Sequence, residues 1–239
     1  LGGVIGIASG IAMLSSGQGA KAQMEANIQS IGSNLLLITP GAQRGVGAAV
    51  SAGRGSAQTL TNEDAKAIQS EIAEVKAVAP DVSRRYQIAA KGKNTNTQVI
   101  GTVPAYLQVR NVALGSGVFL SDTDINARTK IAVLGPTTRD DLFGVDTQPV
   151  GERIRINGTD FTIVGVTAPK GGSGFSNQDD AIYIPISRLQ TFLSGGQYVG
   201  TISVQAQSQD QMSAAQVAIT NLLLDRHRIS SPEQADFTV

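Results

Sequence analysis

Arg153-Ile154-Arg155-Ile156-Asn157-Gly158-Thr159-Asp160-Phe161-Thr162-Ile163-Val164 is the most legible stretch of this 239-residue chain. Apolar and polar residues alternate up to Asn157-Gly158, and the alternation resumes beyond it. A period of two puts successive side chains on opposite faces of a strand, and Asn-Gly accepts the two positive φ angles of a type I′ turn. The stretch predicts a β-hairpin with Ile154 and Ile156 facing a core and Arg153 and Arg155 solvated. Upstream, Lys130 to Leu134 reads as a strand stopped by Gly135-Pro136, and Thr137 to Phe143 as a short helix ending at Gly144. Downstream, Lys170 to Asn177 reads as a flexible loop and Ala181 to Pro185 as a strand, with Ser187 capping a short helix through Leu193.

Further out, the pattern changes. Asn34 to Thr39 reads as a buried strand closed by Pro40-Gly41. A helix begins at Thr61, with Ala65, Ile68 and Ile72 on its buried face. Thr61 and Asp64 resemble a capping box, although Glu or Gln is the usual third residue after the cap. Val75 to Ala79 and Arg84 to Ala90 read as two strands. A hairpin turn over Lys91 to Thr95 leads to a returning strand, Gln98 to Val103, and Pro104 to Val109 reads as a short helical turn. At the other end, Thr201 to Ala206 alternates as a strand. Gln211 to Arg226 has helical spacing, with Met212, Ala215, Ile219, Leu222 and Leu223 inward, and Phe237 to Val239 starts a last strand. Both ends are therefore strand–helix–strand units, and the middle, about Leu114 to Gln197, is richer in strands. That distribution predicts an α+β fold: one α/β subdomain built from both chain ends, with a β-rich subdomain inserted between them.

Leu1 to Ser16 (LGGVIGIASGIAMLSS) contains no charge. A bilayer span needs ~20 apolar residues, so this run reads as the end of a transmembrane helix. Gly2, Gly6 and Gly10 recur at intervals of four and fall on one helical face, the pattern of close packing between helices in a membrane. A signal peptide would need a basic stretch before the apolar run, and none is present. Residues 17–31 continue with good helix formers, and Met24, Ile28 and Ile31 make one apolar stripe before Gly32. The expectation is a single helix leaving the bilayer as a stalk, residues 1–32.

Composition excludes several chemistries. Lys plus Arg and Asp plus Glu are both 19, so the formal net charge is zero and the basic excess of a nucleic-acid-binding domain is missing. With no cysteine there are no disulfides or thiolates, and with one histidine no multi-histidine metal centre. His227, in Asp225-Arg226-His227-Arg228, reads as a capping or surface histidine, and no Gly-x-Ser-x-Gly elbow accompanies it. Asp140-Asp141, Asp179-Asp180 and Asp122 with Asp124 read as caps and turns, because adjacent side chains diverge on helices and strands alike. The glycines of Gly41 to Gln58, read as a flexible loop, lack the Lys-Ser/Thr that completes a P-loop. No catalytic, metal or cofactor-binding residue emerges.

These segments resemble, in order along nearly the whole chain, the periplasmic core domain of MacB-type ABC transporter permeases. The resemblance is carried by Gly6-Ile7-Ala8-Ser9, Gly17-Gln18-Gly19-Ala20, Ser30-Ile31-Gly32-Ser33-Asn34-Leu35-Leu36 and Pro40-Gly41. It continues through Leu60-Thr61-Asn62-Glu63-Asp64-Ala65, Val78-Ala79-Pro80, Val133-Leu134-Gly135, Leu142-Phe143-Gly144, Pro149-Val150-Gly151 and Ile156-Asn157-Gly158. It ends with Gly165-Val166, Gln178-Asp179-Asp180 and Ile184-Pro185. The resemblance implies a porter-like α/β subdomain, 33–113 with 198–239, and an inserted Sabre-like subdomain, 114–197, placed between the first and second of four transmembrane helices. It also implies an inner-membrane protein with this domain on the periplasmic side, working as a homodimer with an ATP-binding domain or subunit. A periplasmic adaptor and an outer-membrane exit duct complete the scheme, and cargo such as macrolides or peptides is driven by motion relayed through the stalk. Lipoprotein-releasing and cell-division permeases share the topology, and a ligand-sensing extracytoplasmic module is the remaining alternative.

Overall fold

The computed structural model describes residues 34–41, 58–171, 178–193 and 196–239. The proposed membrane-packing residues Gly2, Gly6 and Gly10 and the stalk residues Met24, Ile28 and Ile31 lie outside them, as does most of each expected loop. Among the described residues no helix is long and apolar enough to cross a membrane.

The strands form one hydrogen-bonded network in two arrangements. In the first, β1 (Leu35–Pro40) lies between β10 (Phe237–Thr238) and β9 (Thr201–Ala206), and β9 pairs with the first half of β2 (Val75–Ala90), all antiparallel. One face of this sheet carries Leu36, Ile38, Val78, Ile202 and Val204. It is covered by α1 (Asn62–Glu71), through Ala65 and Ile68, and by α6 (Met212–Arg226), through Ala215, Ile219 and Leu223. Leu224 completes that helix's buried face, whereas Met212 and Leu222 are only partly buried. Thr61 caps α1 as a reciprocal box: Asp64 N donates to Thr61 Oγ1 (3.2 Å), and Thr61 N donates to Asp64 Oδ2 (2.9 Å).

In the second arrangement the network closes on itself. From residue 82 onward β2 pairs with β3 (Lys93–Thr102), which runs parallel to β8 (Ala181–Pro185). β8 pairs with β5 (Ile131–Leu134), β5 with β7 (Thr159–Thr167), and β7 with β6 (Arg153–Ile156). β6 then returns to β2 through Ile88↔Ile156 and Ala89↔Arg155, so six strands make a ring. Its interior holds Ile88, Val99, Leu134, Ile154, Phe161 and Ile182, all at 1% exposure or less. A ring leaves no unpaired edge, which is how a small β unit escapes edge-to-edge association. The short strand β4 (Leu114–Gly117) adds to the outside of β7. Residues 82–102, in β2 and β3, thus contribute to the ring along with strands from the chain's middle.

The hairpin forms as its sequence requires, with Asn157 and Gly158 at φ 45° and 81° and Ile154 facing Phe161 across the strands. The expected five-residue turn after β2 is tighter: Lys91 and Gly92 alone turn the chain, at φ 48° and 79°, and β3 begins at Lys93. The two strands expected over 75–79 and 84–90 are one. Pro80 suggests a break because it lacks an N–H. It falls where β2 changes partners, at the last pairings with β9 and before the ladder with β3 begins at Val82. Thr102 Oγ1 donates to the Pro80 carbonyl (3.0 Å), and the strand continues.

Four further helices sit around the sheet and ring. α2 (Tyr106–Val109) packs on the opposite face of the sheet from α1 and α6. α3 (Asp122–Ala127) and α5 (Ile186–Leu193) lie next to each other, and α4 (Pro136–Phe143) buries Leu142 against the ring. α3 was legible only as caps and turns. Ser121 Oγ accepts from Asp124 N (3.3 Å) and its own N–H donates to Asp124 Oδ2 (3.0 Å), a second capping box. The Ser121 hydroxyl, with burial opposing it, holds the Asp124 carboxyl below its usual range.

Candidate functional site: the cleft between helices α1, α3 and α5

A cleft of about 660 Å³ opens between α1 on one side and α3 and α5 on the other, over the stretch of β2 where it passes from sheet to ring. Val78, Pro80 and Ile186 supply apolar surface, and Lys66, Arg128 and Gln190 supply polar groups. Its two walls are bridged: Asn62 Nδ2 on α1 donates to Gln190 Oε1 on α5 (2.9 Å), and Gln190 Nε2 donates to the Tyr198 carbonyl (3.0 Å). Ser187 Oγ donates to the Ile125 carbonyl and ties α5 to α3. Asn62 Oδ1 is buried without a hydrogen-bond partner among the described residues, an arrangement that costs ~1–3 kcal/mol unless a donor reaches it. Arg128 sits at the helix end in the left-handed region, at φ 52°. A cavity with an apolar floor, amide bridges and cationic rims can hold an amphipathic molecule or the side chains of a partner. Among the described residues it contains no nucleophile–base pair.

The single histidine belongs elsewhere. His227, expected at a cap or on the surface, has a side chain only 10% exposed, wedged between two carboxylates. Nδ1 lies 2.7 Å from Asp236 Oδ1 and Nε2 3.3 Å from Asp64 Oδ2, while Arg226 Nε donates to Asp64 Oδ1 (2.8 Å). Burial disfavours the charged form of Asp64, but the bonds from Arg226, Thr61 and His227 outweigh it and hold its carboxyl below the usual range. The cluster joins α1, α6 and the residue before β10, and both ring nitrogens face carboxylates.

The paired carboxylates diverge as expected. Asp179 accepts from the backbone N–H groups of Lys170 (2.9 Å) and Gly171 (3.0 Å). Asp180 accepts from Thr97 (3.1 Å), Thr138 (3.4 Å) and Arg85 (3.4 Å). Asp140 pairs with Arg139, and Asp141 accepts from Thr95. Among the described residues no group of three or more acidic or imidazole side chains is arranged to hold a metal ion. Arg84, Arg85, Arg153 and Arg155 are exposed, as their strand positions predict.

The path of the chain bears on what such a domain is for. β10 is antiparallel to β1, with Thr39↔Thr238 and Pro40↔Phe237, so the chain leaves β10 toward the end at which it enters β1. Gln216 Nε2 on α6 donates to the Val239 carbonyl (3.2 Å). Solved structures with this fold include the periplasmic region of MacB from Actinobacillus actinomycetemcomitans. Its TM-score is 0.72 at 24% identity, covering 89% of this chain and 90% of that one. The extracellular domain of the noncanonic ABC-type transporter YknZ from Gram-positive bacteria superposes with a TM-score of 0.68 at 20% identity, covering 86% of this chain and 99% of that one. These likenesses show the fold that the chain shares with both domains.

The chain belongs to the MacB-like periplasmic core domain family, whose model matches residues 1–222. Among relatives, the macrolide export ATP-binding/permease protein MacB of Bdellovibrio bacteriovorus is 36% identical over 236 residues, 99% of this chain and 36% of that protein. The MacB of Chlorobaculum tepidum is 36% identical over 239 residues, 100% of this chain and 36% of that protein. The chain thus spans about a third of the length of these curated relatives. It is the MacB-like periplasmic core domain of an ABC transporter permease.

Proposed function

We propose that this domain relays motion generated by ATP hydrolysis in the cytoplasm to the envelope side of the membrane, where it drives export of macrolide- or peptide-type cargo. The supporting observation is the adjacent entry and exit of the chain at β1 and β10. A domain tethered through two neighbouring strands of one sheet moves as a body when its tethers move. β2 then carries that displacement from the sheet into the ring as one 16-residue strand. In this reading residues 1–32 are the end of a transmembrane helix and a stalk. Gly2, Gly6 and Gly10 pack in the bilayer of the inner membrane, and Met24, Ile28 and Ile31 dock the stalk. Residues 33–113 with 198–239 act as the porter-like part and 114–197 as the inserted Sabre-like part. The permease works as a homodimer with an ATP-binding domain or subunit, a periplasmic adaptor and an outer-membrane exit duct, and the cleft over β2 receives cargo or an adaptor segment.

The test is a proline in the stalk. In the full-length transporter, Ala22→Pro leaves this domain folded and basal ATPase intact, and abolishes stimulation of the ATPase by adaptor and cargo. Undiminished stimulation contradicts the relay.

A further inference from the structure

A second, smaller hollow of about 270 Å³ lies on the face of the sheet opposite α1 and α6, beside α2. The register puts Leu37, Ser203, Ala79 and Asp81 on that face, and Ile100 and Tyr183 continue it across β3 and β8. α2 covers part of the face through Tyr106 and Val109 and ends at Arg110. Beyond the helix the face is open: Leu37 is 41% exposed.

The hollow has two charges. Asp81 borders it from β2 and Arg110 from the end of α2, where the guanidinium bonds the Tyr106 side chain and acts on Asp81 only through its field; among the described residues the two form no ion pair within 4 Å. Every other part-buried carboxylate described above is served by backbone N–H groups, hydroxyls or cations. A part-buried carboxylate with no donor on it, as at Asp81, is costly and marks a place where a cationic group can arrive from outside. Burial pushes the Asp81 carboxyl up to about 7, with Arg110 pulling the other way. Two neutral polar atoms nearby, Gln178 Oε1 at the hollow and Ser203 Oγ on the same sheet face, are buried without hydrogen-bond partners among the described residues. The phenol of Tyr106 and the apolar surface of Leu37 and Ile100 complete a lining with one carboxylate, one guanidinium and no net charge.

We propose that this hollow binds a small ammonium–carboxylate zwitterion of amino-acid size, its cationic end on Asp81 and its anionic end on Arg110. A lone cation would meet repulsion from Arg110 and a lone anion from Asp81; only a dipolar molecule is attracted by both. Gln178 Oε1 supplies a further acceptor for the ammonium, and the guanidinium offers the paired donors that suit a carboxylate. The site is independent of the relay and of the cleft between α1, α3 and α5, which is on the other side of β2's sheet.

Calorimetric titration of the intact chain with glycine, alanine, β-alanine and 4-aminobutyrate tests it, since these vary the separation of the two charges. Methylammonium and acetate serve as the singly charged controls. At least one zwitterion is expected to bind in the millimolar range or tighter, about tenfold or more above both controls. Asp81→Asn and Arg110→Gln each reduce that affinity about tenfold or more. Circular dichroism checks that each variant is folded, and Asp81→Asn removes a costly charge, so lost binding in that variant reports the site. Absence of binding by all four zwitterions, equal binding of either control, or unchanged affinity in folded Asp81→Asn overturns the proposal.

Discussion

Removing the Asp64 carboxylate tests whether the cluster it anchors holds the helical layer together. Asp64, with a side chain 4% exposed, caps α1 through Thr61 and bonds Arg226 and His227 at the end of α6. Losing the cap costs about 1 kcal/mol. A hydrogen bond to a charged group contributes ~1.5–3 kcal/mol, and Arg226, a third exposed, recovers part of its share by hydration. Asp64→Asn keeps a capping oxygen and loses the charge, so it should cost about 2 kcal/mol; Asp64→Ala loses both, about 3 kcal/mol. Urea unfolding at neutral pH, followed by circular dichroism, measures both. The pH dependence adds a sign. Because the folded carboxyl titrates below 3.8, its contribution is complete above that value and fades as pH falls through the lower, folded-state pKa. The gap between the wild-type chain and Asp64→Asn should therefore close in acid. A gap under ~0.5 kcal/mol at neutral pH, or one that persists unchanged at pH ~2, refutes the reasoning.

Asp81 should behave in the opposite sense. Its folded carboxyl holds a proton up to about 7, whereas the unfolded one releases it near 3.8, so wild-type stability falls as pH rises through that window. Water at the mouth of the hollow reduces the full linkage of about 4 kcal/mol to ~1–2 kcal/mol, and Asp81→Asn should gain that much at pH ~8 and nothing at pH ~4, read from urea midpoints. Phe161→Ala, in the ring interior, should cost ~3–5 kcal/mol by the same measurement. At Gly101 a Cβ would lie 2.6 Å from Leu189 Cβ, so Gly101→Ala should push α5 off β3 and lower the thermal midpoint, whereas Gly158→Ala, with open space around it, should lower it through the strain of its positive φ alone.

The local elements were legible because each had its own punctuation. Asn157-Gly158 fixed one hairpin, Thr61 and Asp64 the start of α1, and Gly135-Pro136 the step from β5 to α4. What could not be read were decisions made by distant partners. Pro80 interrupts the ladder pattern locally, and only the change from β9 to β3 lets the strand run through it. Ring closure depends on Ile88 meeting Ile156, 68 positions later, and no periodicity within either strand encodes that meeting. His227 read as a capping or surface histidine; it does cap the end of α6, but it is buried because Asp64 and Asp236 reach it from other parts of the fold. The cleft escaped notice for a similar reason: Asn62 and Gln190 are ordinary amides until tertiary structure sets them 2.9 Å apart. Asp81 and Arg110 gave no signal, since one sits in an interrupted strand and the other after a four-residue helix.

Whether this domain moves with the ATP cycle is best measured as a distance in the intact transporter. The chain has no cysteine, so a spin label can be placed at exposed Val217 on α6 or at exposed Val145 beyond α4, with any native cysteines elsewhere in the protein replaced. The relay predicts that the label-to-label distance across the homodimer, read by pulsed electron paramagnetic resonance at both sites, shifts between nucleotide-free and ATP-trapped states. Identical distance distributions in the two states at both sites would contradict it.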